Sequence, residues 1–279
     1  MLSALIAALI NPIEIIGTKK IFGKEKINYK AFLVLNMFFI LIFSSVAYII
    51  WGEIDFTKIT IFVIILFGFE LIVSFFLNVL FYYSLSGDRV SRVQPIAMMV
   101  PITSVALAAI FYPDERNWPI FMITLIAASA LAYSRIEKHH LVLNKYSVAM
   151  LGFVFLMSVE SLLAKYILEV FSPVAFYTIR IGILTFFLSL FLRPNLKNFG
   201  KKRLRSVFLL SFLITAEMIA WYIAISQIGI VKTSLIFLLG PVLTLLASKF
   251  HLKEKITLKA ALSDAVIVIC IAASILVGS

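Results

Sequence analysis

The sequence predicts an all-α integral membrane protein, with ten transmembrane helices arranged as two inverted five-helix repeats. Three observations carry that expectation. Of the 279 residues 62% are hydrophobic and the mean hydropathy is +1.08, against about 45–50% apolar in a soluble domain. The apolar residues fall in runs long enough to cross a bilayer, separated by short basic turns. Finally, similar residues return about 140–147 positions later, the mark of an internal repeat.

The spans are expected at roughly 1–18, 31–51, 59–86, 93–111, 118–135, 146–167, 175–193, 206–228, 233–250 and 257–277. The first is short and holds Asn11, Pro12 and Glu14. It lacks a basic leader region and an A-x-A-like cleavage site, so it is expected to be retained. The longest turns, GKEKIN and RPNLKNFGKKRLR, leave no room for a separate soluble domain. The net charge of +11 sits in these short turns, which reads as membrane orientation and not as nucleic-acid binding. Cys270 is the lone cysteine, so no disulfide framework exists. His139 and His140, in RIEKHHLVLNK, read as a solvated interfacial pair in preference to a metal site. Gly-rich phosphate loops and Cys/His metal spacings are absent, so neither cofactor nor metal is expected.

The repeat divides the chain into residues 1–140 and 146–279. Glu14 aligns with Glu160 and Lys19 with Lys165 at a shift of 146, and Glu70 with Glu217 at 147. Pro101 and Glu115 match Pro241 and Glu254 at shifts of 140 and 139. A second register, anchored on Tyr83 and Tyr222, places Asn78 near Glu217 and leaves Glu70 unpaired. Five is odd, so the second copy must cross the membrane in the opposite sense. The basic residues move accordingly. The turn after span one holds Lys19, Lys20, Lys24, Lys26 and Lys30, and its equivalent after span six holds only Lys165. The turn after span two has Lys58 alone, while its equivalent after span seven runs from Arg193 to Arg205. One face therefore stays basic. The positive-inside rule puts that face, and all turns after odd-numbered spans, in the cytoplasm, with Met1 and Ser279 outside.

Lys165, the segment SPVAFYTIR ending at Arg180, Tyr222 and the unit from Pro241 to Glu254 together resemble an EamA domain. The first copy matches more loosely, keeping Lys19, Pro101 and Glu115, with Asn36 where the second has Arg180. Two such domains in tandem resemble the ten-helix drug/metabolite transporter superfamily. The resemblance implies alternating access without ATP, and both termini in the cytoplasm, against the charge count. Its substrates span amino acids, sugars, nucleotide sugars, choline-like cations and drugs.

The candidate substrate-binding or coupling residues are Glu14, Glu70, Tyr83, Glu160, Arg180, Glu217, Trp221 and Tyr222. A carboxylate within a span needs a partner, water or a proton. Glu70 and Glu217 each lie about eleven residues into their spans, where they can couple protons, recognise a cation, or simply bond a neighbouring helix. Glu160 sits deeper than Glu14, which is expected nearer the interface. Glu160 and Lys165, five residues apart, stand about 140° apart around a helix and share no face. Lys19 and Lys165 are expected to snorkel to the headgroups, and Arg180 to meet Glu160 or a lipid phosphate in preference to an anionic substrate. Trp221 lies four residues after Glu217, on the same face. The pair forms either a cation box or part of an interfacial aromatic belt. Pro101 and Pro241 are expected to break or kink spans four and nine.

These residues point to a secondary transporter for a small metabolite, an amino acid, amine or other small polar molecule, moved by proton coupling or exchange. Its partners are then the substrate and the bilayer, with no nucleic acid, in a monomer or homodimer of a prokaryotic plasma membrane. The alternative is a membrane-embedded lipid-handling protein, either enzyme or scramblase. No DxxxD, HExxH or serine–histidine arrangement supports an enzyme.

Overall fold

The computed structural model describes residues 1–23, 28–88, 93, 96–97, 99–135, 144–195, 199–240, 243 and 258–277. Among these the long elements are all helical: α1 (Leu2–Gly23), α2 (Tyr29–Trp51), α3 (Ile61–Gly87), α4 (Val100–Phe111), α5 (Trp118–Arg135), α6 (Lys145–Ile167), α7 (Pro173–Leu192), α8 (Lys201–Phe237) and α9 (Leu258–Val277). Of the described helices α1, α2, α3, α6, α7 and α8 are each long and apolar enough to cross a membrane.

Local chemistry explains where several begin. Thr60 Oγ1 accepts from Val63 N at 3.3 Å to open α3. Asn144 Oδ1 accepts from Tyr146 N and Ser147 N, both at 2.9 Å, to open α6. Ser172 caps α7 through Ala175 N, and Pro173 occupies the first turn, where its missing N–H costs nothing. Pro101 likewise falls in the first turn of α4. Pro12 is different: it lies inside α1 and leaves the carbonyl of Ala8 without its usual donor.

The helices are apolar outside and polar inside. On α2, Phe32, Asn36, Ile40 and Ser44 recur every four residues and are buried, while Phe38, Val46 and Ile49 face outward, Ile49 at 83% exposure. On α3 the buried stripe is Glu70, Ser74, Asn78 and Tyr82, and the outward face carries Ile65, Phe69, Ile72 and Phe76. In water this surface would be untenable; against lipid tails it is the stable arrangement.

α1 packs along α8 and α3 along α6, α2 lies against α7, and α5 against α9. α4 sits between α6 and α8. The turn after α2 meets the turn after α6, where Ile54 and Phe171 form an isolated antiparallel bridge. Asp55 N donates to Val170 O and Ser172 N to Glu53 O, both at 3.0 Å. α8 is bent: Gly229, at φ 79° and ψ 174°, separates a long first arm from a short second one ending at Phe237. The bend falls between the spans expected at 206–228 and 233–250. α1, by contrast, runs past its expected end at residue 18 to Gly23.

Candidate functional site

The centre of the bundle contains a buried ionic cluster built by four helices. Arg180 of α7, 3% exposed, sends Nη1 to Glu160 Oε1 of α6 at 2.8 Å and also donates to the Tyr222 hydroxyl of α8. That hydroxyl in turn donates to Glu160 Oε1 at 2.5 Å. Arg180 Nε lies 3.2 Å from Glu70 Oε1 of α3, an ion-pair contact that lacks hydrogen-bond geometry. Ser74, one turn beyond Glu70, donates to the same oxygen at 2.5 Å. The aromatic faces of Phe176 and Tyr222 flank the guanidinium at 5.9 and 5.5 Å. A planar cation held on several sides in this way is fixed in place.

Beside this cluster is a cavity of about 160 Å³. Its polar lining is Asn11 and Glu14 from α1, Asn78 and Tyr82 from α3, Tyr177 and Arg180 from α7, and Glu217 from α8. Met37, Phe81, Phe153, Met157, Trp221 and Phe237 supply much of the apolar wall. Asn11 Nδ2 donates to Glu217 Oε1 at 2.8 Å, and the Glu14 carboxyl is the other polar neighbour of Glu217. Glu217 Oε2 and Trp221 Nε1 are buried and have no hydrogen-bond partner among the described residues. Tyr82 is held from behind: its hydroxyl accepts from Asn36 Nδ2 at 3.0 Å, and Ser211 Oγ donates to Asn36 Oδ1 at 2.7 Å.

Two polar clasps lie away from the cavity, near helix ends. In one, Glu115 Oε1 and Oε2 accept from Ile230 N and Val231 N at 2.9 and 2.8 Å, capping the arm that follows Gly229. Lys165 Nζ stands 2.7 Å from both Asp114 and Glu115. The hydrogen bond from Lys165 holds the Asp114 carboxyl below the usual carboxylate range. In the other, Lys19 Nζ donates to Leu85 O at 2.8 Å and Asp88 O at 2.5 Å, satisfying the carboxyl end of α3. Asn144 Nδ2 reaches Asp88 Oδ2 at 2.5 Å.

The structure sorts the expected residues into three places. Glu14, Glu217 and Trp221 meet at the cavity, and Arg180 lines it too. Glu70, Glu160 and Tyr222 belong to the Arg180 cluster, so Glu70 does not stand where its alignment with Glu217 implied. Tyr83 is elsewhere, stacked between Tyr29 at 5.4 Å and Tyr146 at 5.0 Å. It is Tyr82 that bonds Asn36 as Tyr222 bonds Arg180.

Three expectations are corrected. Glu14 does not reach an interface; it is buried, because its face of α1 packs along α8, where Asn11 meets Glu217. Trp221 and Tyr222 are not belt residues, being buried in the core. Lys19 and Lys165 do not snorkel; carbonyls and carboxylates of neighbouring turns hold them. Of the two partners expected for Arg180, it meets Glu160. Pro101 opens α4 and also lines the cavity, whereas Pro241 and Glu254 lie outside the described residues, as do His139 and His140. Asn11 and Tyr177 were not anticipated, yet each lies three residues before a marked charge, Glu14 and Arg180, and so on its helical face.

Comparison with known proteins adds a family match over part of the chain and a fold. No curated protein matches the chain. A solved structure described as "Crystal structure of protein" superposes with a TM-score of 0.76 over 99% of this chain and 96% of its own, at 14% identity. That likeness shows the fold alone. Residues 144–278 match the EamA-like transporter family, and with its apolar helices the chain is an integral membrane protein carrying an EamA-like domain.

Proposed function

We propose that the protein is a secondary transporter that carries a small polar metabolite by alternating access, without ATP. The observation that carries this is the central cavity: α1, α2, α3 and α4 line it together with α6, α7 and α8, and acids and aromatic rings are among its lining. A buried polar site between two halves of a bundle is where inverted-repeat carriers hold their substrate. Ten helices in two inverted repeats, residues 1–140 and 146–279, suit this reading. The reciprocal packing of α1 on α8 and α3 on α6 supports it. So do the paired bonds Asn36–Tyr82 and Arg180–Tyr222, and a family match beginning at residue 144. A monomer or homodimer in a prokaryotic plasma membrane completes the proposal. Lipid handling is not favoured, since EamA-like proteins are transporters.

The test is access to the cavity from each side. Leu77 lines it, so Leu77→Cys, in a Cys270→Ser background, is exposed to a small membrane-impermeant thiosulfonate. Right-side-out and inside-out vesicles are both expected to be labelled. Labelling from one side only, or from neither, contradicts alternating access.

A further inference from the structure

Among the described residues, the ionisable side chains buried at the centre are strongly unbalanced. Glu14, Glu70, Glu160 and Glu217 stand against one guanidinium, Arg180. Arg180 is paired with Glu160, Glu70 and Tyr222, which leaves Glu14 and Glu217 facing each other, with the Asn11 amide donating to Glu217 Oε1. Two carboxyls side by side are two acceptors, and such a pair is stable in a low-dielectric interior only with a hydrogen or a cation between them. Independently of the acid pair, the cavity holds unmet polar atoms. Glu217, 3% exposed, lines it and keeps Oε2 without a partner, and Trp221 Nε1 is likewise unpaired.

We infer that the cavity is a binding site for an organic ammonium compound of about one-ring size, its nitrogen set between Glu14 and Glu217 and its apolar body against Phe81, Phe153, Met157 and Trp221. This rests on the transporter reading and names its substrate class. The volume of about 160 Å³ is close to the ~150 Å³ engineered cavity that admits benzene. The indole face of Trp221 adds attraction for a cation, and its free N–H suits one neutral acceptor, such as a hydroxyl, on the ligand. A carboxylate is disfavoured. The guanidinium that would receive it is already charge-paired with Glu160 and Glu70, and it would lie beside two acids. The same argument separates amines from amino acids, whose carboxylate would meet here only a guanidinium already paired with two acids.

The test is a head-group series on one body, measured by calorimetry with the purified full chain in detergent: 2-phenylethylamine, 2-phenylethanol, L-phenylalanine and phenylacetate. The amine is expected to bind about tenfold or more tightly than each of the other three, and Glu14→Gln and Glu217→Gln each to weaken it about tenfold or more. Glu53→Gln, on an exposed turn, is the control and is expected to change it less than about twofold. The wild-type series stands even if a variant misfolds. Phenylalanine or phenylacetate binding as tightly as the amine overturns the inference, as does no binding of the amine, or amine binding undiminished in both folded variants. Binding in detergent requires no transport. An amine that binds but never crosses a liposome removes the transporter reading alone. Saturable transport of another class, with no amine binding, removes this inference alone.

Discussion

Arg180 shows most sharply how a charge is made tolerable in this interior. It is buried among Glu160, Glu70 and Tyr222, and removing one member of a buried ionic group leaves the others charged and unpaired, at a cost of roughly 3–5 kcal/mol. Arg180→Ala is therefore expected to lower the melting temperature in detergent sharply or to abolish accumulation, while Arg180→Lys retains part of the stability. An unchanged melting temperature in Arg180→Ala would show that the cluster does not hold the bundle together. Glu217→Gln is the contrasting case. The amide keeps the shape of the acid and can still meet Asn11 through its oxygen, so folding is expected to survive while transport falls about tenfold or more. Full transport in that variant contradicts a role for Glu217 in the site. Each of these residues is visible in the sequence as a charge where apolar residues are expected. Glu160 was legible as a partner of Arg180, but Glu70 and Asn11 were not, because Arg180 with Glu70 and Asn11 with Glu217 are joined only by the packing of distant helices.

At the scale of elements, the bend in α8 sets where the long helix stops and the next arm begins. Gly229 adopts a backbone conformation essentially closed to other residues, and a Cβ there would stand 2.8 Å from Glu115 Oε1. Gly229→Ala is expected to cost about 1–3 kcal/mol from the backbone alone, read as a lower thermal midpoint. Glu115→Ala removes the acceptor for two helix-start amides, and about 0.5–2 kcal/mol is expected from the lost cap. Because both changes strike one contact, the double variant is expected to lose less than the sum of the two. Strict additivity contradicts the clasp. Asp114 gives the same clasp a pH signature: its carboxyl is held low by Lys165, so its contribution is present above the ordinary carboxylate pKa and lost as pH falls through the lowered one. This break was legible, since Gly229 falls between two expected helices. The length of α1 was not. Lys19 and Lys20 read as the end of a span, but the helix continues to Gly23, with Lys19 bound to the carbonyls that close α3.

Across the whole molecule, the apolar exterior and the central polar residues are the inverse of a soluble fold, and composition alone announces it. What composition does not give is orientation, where the turn charges and the family resemblance point in opposite directions. The charges favour a cytoplasmic turn between α7 and α8 and an external one between α2 and α3. An impermeant maleimide applied to intact cells is expected to label Lys58→Cys and not Lys201→Cys; the reverse pattern restores the orientation implied by the resemblance. The register of the repeat was only partly legible. Tyr82 and Tyr222 hold equivalent bonds, whereas the sequence offers Tyr83 as an equally plausible anchor, and two adjacent tyrosines differ only in which helix face they occupy.

The claim that this chain is a carrier is tested most directly by counterflow. The purified protein is reconstituted in liposomes preloaded with unlabelled amines, amino acids, sugars or nucleosides, and entry of the matching labelled compounds is followed. The account predicts that uptake of one class saturates, is accelerated by that same class inside, and is lost in Glu217→Gln. Uptake that rises linearly with concentration and shows no acceleration for every class, or movement of labelled phospholipid alone, contradicts it.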